Sequence, residues 1–464
     1  MPEPDIHLAV NCGSSSIKFT LFNSHRQVIL TGQAKDVQGD SPASFAYSWS
    51  PDAASSSRST STASASTPEL SEKEERQLDA KTTYEDVFDE ILNDVTSDRV
   101  LGQGGKDRIK LIAHRIVHGG TADAPIVIRH GDKDEKEVLD KMEEVSSFAP
   151  LHNHHAMLIV KTCLHTLPDS LSILCFDTLF HRTIPNYRRT YAISTPPHKT
   201  PVPLLKYGFH GLSYGSILRQ MATKLGKDPQ DVNLVVAHLG SGGSCCLIQG
   251  GQSRDTTMGV TPLEGLPGGT RSGTIDPSLI FHHTPDCSDT VKWSGRDITK
   301  AEYVLNKESG FKALCGTNNF GTITSRAFPT SDKDAESVSE DELDSARLVY
   351  AHYLSHLTAY LSSYVSALLA SPAPLNALDG IVFSGGIGEK SVKLRKDVLD
   401  HFGWIEDLAQ TGGGVDDRKN GDEDAHGTRE ITKPGSKVKG FVVETDEEEE
   451  MVRLCQEELA EEGK

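Results

Sequence analysis

Three stretches of the chain gather apolar residues over strand length and then break into Gly and Ser: HLAVNCGSSSIKFTLF from His7, LVVAHLGSGGSCCLI from Leu234 and GIVFSGGIGEK from Gly380. The first two resume an apolar run after the turn, so each predicts two strands joined by a glycine-rich hairpin. The third predicts a strand that ends in a glycine loop. LIAHRIVHGG from Leu111 and ILCFDTLFHRTIP from Ile173 read as further apolar strands. Ser345 to Ala370 has another period: Leu354, Leu357, Leu361, Val365 and Leu368 recur every three or four residues, which predicts a long amphipathic helix with its apolar stripe in a core. Between these patterns lie polar tracts. Residues 41–72 are mostly Ser, Thr, Ala and Pro and predict a disordered surface insertion; 332–344 is acidic; 410–435 predicts a second long solvated loop.

Those tracts explain why hydrophobic residues make up only 36% of a 464-residue chain long enough for two or three folded units. Lys and Arg number 47 against 66 Asp and Glu, a net charge of -19 that repels polyanions and makes nucleic acid a poor partner. No apolar run reaches membrane-span length and the first ten residues do not resemble a secretion signal, so a soluble cytoplasmic protein is expected. The eight cysteines are scattered with no C-x-x-C pair, which fits reduced buried thiols better than disulfides or a zinc site.

Two glycine hairpins in separate halves, with a third glycine loop after a strand, suggest a duplicated fold that holds a phosphate chain through backbone N–H groups. No Walker A pattern occurs. In the first hairpin Ser14, Ser15, Ser16 and Lys18 add hydroxyls and a cation. Arg115 lies in an apolar run, so it needs an anionic partner, either a structural carboxylate or a bound substrate. Asp177 follows a strand, where it could face a ligand or cap a helix. Arg271 sits in the rigid loop TPLEGLPGGTRSGTIDP, and one carboxylate of VVETDEEEE could hold Mg2+. The G-x-S-x-G match at Gly211 lacks a preceding strand and is not read as a hydrolase elbow. His114 and His118 lack the glutamate of a zinc helix, and His152, His154 and His155 read as a surface loop.

Taken together these blocks resemble the acetate kinase family, in the superfamily that also contains actin, hexokinase and Hsp70-type ATPases. The matching blocks are Asn11 to Lys18, Arg115 to Gly120, Phe148 to Asn153, Phe176 to His181, Tyr207 to Gly211, His238 to Gly242, Thr261 to Pro277 and Gly385 to Glu389. The resemblance implies a two-domain, duplicated α/β fold of the actin/hexokinase (ribonuclease H-like) kind with an interdomain active-site cleft. Its domains would be 1–180 completed by 436–464, and 181–409 for nucleotide binding and dimerisation. It implies Mg2+ (or Mn2+)-dependent phosphoryl transfer between ATP and acetate, giving ADP and acetyl phosphate, by a homodimer.

Residue by residue, the resemblance puts Asn11 and Glu447 at the metal. It puts Lys18, Ser14, Ser16 and His238, Leu239, Gly240, Ser241 and Gly242 at the nucleotide phosphates, with Gly386, Ile387, Gly388, Glu389 and Lys390 also on the nucleotide. Arg115, Asp177, His210 and Arg271 are its catalytic group; Val117, Leu151, Phe209 and Pro262 surround the acetate methyl. Three positions depart from the family: Ser241 replaces an Asn, Lys390 ends the glycine loop, and Asn319-Phe-Gly321 stands where an Asp-Phe-Arg element faces adenosine. These departures leave pyrophosphate or another nucleotide as the alternative phosphoryl donor, and a non-catalytic actin-like nucleotide binder as the more distant reading.

Overall fold

Every residue of strand β1 (Ile6–Cys12) is buried, as a strand with neighbours on both edges and cover on both faces must be. The computed structural model describes residues 5–13, 15–37, 42–50, 73–80, 82–101, 104–293, 296–370, 378–422 and 424–462. The chain divides into two units: Met1–Leu179 with Lys199–Pro203 and Asp446–Lys464, and Phe180–His198 with Leu204–Thr445.

The first unit is built on an eight-stranded sheet. Its strands are β1, β2 (Ser16–Asn23), β3 (Val28–Lys35), β4 (Pro42–Trp49), β5 (Lys73–Ala80), β6 (Ile109–Ile116), β7 (Ile126–Ile128) and β8 (Leu171–Phe176), in the order β5-β4-β3-β2-β1-β6-β8-β7. β1 and β2 form the expected hairpin, with Asn11 opposite Lys18, while β6 runs parallel to both β1 and β8. Helices Pro150–Thr166 and Glu447–Glu462 both pack on β1, β6 and β8.

The second unit has a six-stranded sheet of β9 (Leu234–His238), β10 (Ser244–Gln249), β11 (Gln252–Thr256), β14 (Gly380–Ser384), β15 (Arg429–Glu430) and β16 (Gly440–Val442), in the order β11-β10-β9-β14-β16-β15. A separate ribbon joins β12 (Thr290–Trp293) and β13 (Arg296–Thr299). In both sheets an antiparallel meander of three strands continues through its first strand into two parallel ones: β3-β2-β1-β6-β8 and β11-β10-β9-β14-β16. The two sheets thus repeat one topology. Strand alternation sends Val235, Ala237, Ile381 and Phe383 to one face, against Leu357, Leu361 and Val365 of helix Glu340–Leu369. Leu234, Val236 and Val382 go to the other, against Ile217 and Met221 of helix Gly211–Leu225.

Four expectations are corrected. Residues 42–49 are not disordered: Ala43, Phe45 and Tyr47 alternate inward on β4, and Phe45 lies between the Phe19 and Tyr47 rings at 5.9 and 5.5 Å. Composition averaged over a Ser-rich window hid that alternation; 51–72 lies outside the described residues. The 410–435 tract is not a free loop, since Val415 and Ile431 join the core and β15 pairs with β16. The start of 436–464 belongs to the second unit, because β16 pairs with β14, and the chain returns to the first unit only at Asp446. His154 and His155 lie on a helix rather than in a loop, and His155 stacks on Tyr84 at 4.0 Å. Among the described residues no helix is long and apolar enough to cross a membrane.

Candidate active site

Parallel pairing of β1, β6 and β8 brings their C-terminal ends to one edge of the first sheet, the position where open α/β sheets carry ligands. Asn11, Arg115 and Asp177 therefore meet. Arg115 donates from Nε and Nη2 to the two Asp177 oxygens at 3.2 and 2.8 Å, a planar fork, and from Nη1 to Asn11 Oδ1 at 3.0 Å. The first turn of helix Glu447–Glu462 completes the group: Glu447 lies 3.1 Å from Arg115 Nη1 and accepts from Asn11 Nδ2 at 2.8 Å. Burial opposes the charge on Arg115, but Asp177 and then Glu447 outweigh it and hold its pKa above the ordinary arginine value. The neighbouring Glu448, also bonded from Asn11, has its pKa raised by burial and by Glu447.

One guanidinium among Asp177, Glu447 and Glu448 leaves the group short of positive charge. Glu447 and Asn11 offer hard oxygen donors, a set that suits Mg2+, which needs only one or two protein ligands beside phosphate and water. No group of three or more His, Cys, Asp or Glu poised to cage a metal occurs among the described residues. Lys18, opposite Asn11 in the hairpin, is exposed and acts electrostatically on Glu448. At the hairpin tip the Gly13 N–H is taken by the Ser16 carbonyl at 2.8 Å. Ser14 lies outside the described residues. Val117 is buried just past β6, where Asn153 brackets the next residue, accepting from His118 N at 2.9 Å and donating to His118 O at 2.8 Å. The Leu151 side chain is not among those described.

The second unit carries the remaining candidates. His210 has a left-handed backbone, φ 60°, at the start of helix Gly211–Leu225. Its Nδ1 meets Ser244 Oγ at 2.9 Å; that hydroxyl also meets Tyr214 OH at 2.6 Å, and the His238 ring lies 4.7 Å away. Phe209 is buried, and its carbonyl accepts from His181 Nε2 at 2.8 Å. Burial lowers the His181 pKa to about 4, so the ring is neutral. Its one proton sits on Nε2, and Nδ1 accepts from Ser253 Oγ at 2.8 Å. His181, Tyr214 and Ser244 were not among the expected site residues, although His181 belongs to the FDTLFH block.

Arg271 stands in a different setting from Arg115. Its Nη1 would lie 2.9 Å from a Cβ on Gly242, so only glycine lets the guanidinium rest against the tip of the second hairpin. Pro262 O is 3.5 Å from Nη1, and among the described residues no carboxylate pairs with Arg271. Burial lowers its pKa.

The third glycine loop is a short helix, Gly385–Lys390, tied to the same hairpin: Leu239 O accepts from Ile387 N at 2.8 Å and Gly388 N at 3.3 Å, while Glu389 Oε1 accepts from Gly385 N at 2.9 Å. Beside it opens a pocket of about 670 Å³ whose walls include Ser241, Phe320, Phe328, Gly386, Ile387 and Lys390. Asn319 also borders this pocket, but its Oδ1 is engaged with Thr322 N at 3.0 Å, capping helix Phe320–Ala327.

Residues 6–453 match the acetokinase family. A protein of Cryptococcus neoformans var. neoformans named "Probable acetate kinase" is 43% identical over 454 residues, 97% of this chain and 98% of its own length. The acetate kinase of Corynebacterium jeikeium is 35% identical over 77% of this chain and 80% of its own. A solved propionate kinase of Francisella tularensis subsp. tularensis covers 97% of this chain and 98% of its own, with a TM-score of 0.73 at 29% identity. Porphyromonas gingivalis acetate kinase gives 97%, 98% and 0.71 at 26% identity.

Proposed function

This chain belongs to the acetokinase family, and from that membership we propose how its two units divide the work of moving a phosphoryl group between ATP and the carboxylate of acetate. The protein is a kinase with a carboxyl acceptor, on the two-domain α/β fold of acetate and propionate kinases. Acetate is ionised at pH 7, so it attacks phosphorus without a general base. What remains is positioning and neutralising charge on an in-line phosphoryl transition state.

In the first unit Arg115 holds the acid and the migrating group, and Asp177 orients Arg115 through the fork. Val117 and Leu151 give acid selection its apolar part. Glu447 and Asn11 would hold a magnesium ion, which would supply neutralisation of phosphate charge when bound. In the second unit His210, its ring aimed by Ser244, donates to the transferring phosphoryl group together with Arg271. His238 to Gly242 serve the nucleotide phosphates, and Phe209 and Pro262 contact the acid. The pocket along Gly386 to Lys390 takes the nucleoside; a pyrophosphate donor would leave it without a role. The observation that carries this reading is Arg271, a guanidinium resting on the glycine hairpin, its pKa lowered by burial, with no carboxylate paired to it among the described residues.

An acetyl-hydroxamate assay with acetate and Mg2+, comparing ATP, GTP and pyrophosphate, tests the assignment. With Asn319 spent on a helix cap and Gly321 offering no side chain, base discrimination is weak, so ATP and GTP should support comparable rates. Strong preference for ATP over GTP would overturn the relaxed-base reading, and activity with pyrophosphate alone would overturn the nucleoside pocket. We also propose a homodimer, on the family resemblance; light scattering giving the monomer mass would refute it.

A further inference from the structure

The short helix Gly385–Lys390 walls the donor pocket, and what fixes it lies behind it. Arg395, on helix Val392–His401, is 1% exposed. Its guanidinium makes four hydrogen bonds, all to uncharged oxygens: Nη1 to Gly388 O at 2.9 Å and Glu389 O at 2.5 Å, Nε to Asn420 Oδ1 at 2.7 Å, and Nη2 to Asn420 O at 2.6 Å. Burial, with a contribution from Arg429, pulls its pKa down to about 10, which leaves it charged at neutral pH. A buried cation held only by carbonyl and amide oxygens is costly to keep. The bonds it makes satisfy carbonyls that the end of a short helix would otherwise orphan. Asn420 is itself fixed by donating from Nδ2 to Val392 O at 2.9 Å. Leu239 thus holds the glycine turn from the hairpin side, and Arg395 with Asn420 holds it from behind.

We infer that Arg395 is a positioning residue for the phosphoryl donor: with Asn420 it fixes where Gly386, Ile387 and Lys390 lie along the donor pocket, which makes part of the polar 410–435 tract a support of the donor site. This rests on the reading of that pocket as the nucleoside site.

The test uses full-length Arg395→Met, Arg395→Lys and Asn420→Ala, measuring KM for ATP, KM for acetate, kcat and thermal midpoint. A side chain that only stabilises the fold lowers the active fraction, and so apparent kcat, while both KM values stay put. Positioning predicts a rise in KM for ATP of roughly tenfold or more in Arg395→Met and Asn420→Ala, with KM for acetate within about twofold. Arg395→Lys, which keeps the charge but not the fork, should recover part of the loss. Should Arg395→Met fail to fold, Asn420→Ala carries the same comparison. Ser325→Trp, which fills the pocket from its rim, is the separate control. If it raises KM for ATP while the Arg395 and Asn420 variants do not, the inference is wrong and the pocket reading stands. If it leaves KM for ATP unchanged, the pocket reading fails and the inference falls with it. An equal rise in both KM values across the Arg395 and Asn420 variants also overturns the positioning role.

Discussion

Arg115 donates to Asp177 and Asn11 and lies against Glu447, whereas Arg271 meets only the Pro262 carbonyl among the described residues. In the sequence Arg115 lies in an apolar run and Arg271 in a loop rich in Gly and Pro, and neither setting identifies a partner for the charge; truncating either would be expected to leave the fold intact. The pairing changes that expectation. Removing Arg115 takes away the guanidinium that forks onto Asp177, a fully buried carboxylate, and that pairs with Glu447, which costs on the order of 3 kcal/mol. Arg271→Ala removes a cation that no carboxylate among the described residues pairs with, so stability should hold or rise slightly. Both variants should lose about a hundredfold or more in kcat. Urea unfolding beside steady-state kinetics checks this: equal stability losses would refute the asymmetry, and wild-type kcat in either variant would remove it from the site.

Elements were legible where a run of apolar residues stood alone and hidden where composition overrode it. The hairpins, β6, β8 and the long helix are all where the periodicities put them; the helix begins earlier, at Glu340, because Ser339 and Glu342 form a capping box inside the acidic 332–344 tract. Strand β4 escaped notice because its three inward residues are separated by Ser and Ala. Its importance is testable: Phe45→Ala should cost about 3 to 5 kcal/mol by opening the space between the Phe19 and Tyr47 rings. A loss under about 1 kcal/mol in chemical denaturation would return this stretch to the status of a dispensable insertion. The same logic applies to Asn420, whose polar surroundings in sequence give no sign that it is buried behind the glycine turn.

Over the whole molecule the buried histidines set a pH response. Burial depresses His114 in the first unit to about 3 and His181 in the second to about 4, against an ordinary value of 6.5; for His181 the Phe209 carbonyl offsets part of that shift. A depressed folded-state pKa gives stability that is present above pH 6.5 and lost as pH falls toward those values. By pH 5 each group should cost ~2 kcal/mol. Urea unfolding of wild type and His114→Gln at pH 7.5 and 5 measures it. The gap between the two pH values should shrink by about that amount in the variant, and an unchanged gap would exclude His114 as a source.

At this scale the division between chain and fold is clear. Residue type and short spacing were enough for the duplicated strand-turn-strand blocks, the family and the residues that carry charge, because each motif is confined to a dozen neighbours whose local chemistry is complete. They were silent on who partners whom. Arg115 reaches Asp177 across 62 positions, and Asn11 reaches Glu447 across 436. Parallel pairing of β1, β6 and β8 and the packing of the last helix on them make those contacts, and long-range pairing of this kind leaves no periodicity in the chain. For the same reason the counter-ions of Arg115, the seat of Arg271 against the second hairpin and the clamp of Arg395 on the glycine turn became visible only once strands and helices from distant parts of the sequence had been brought together by burial of their apolar faces.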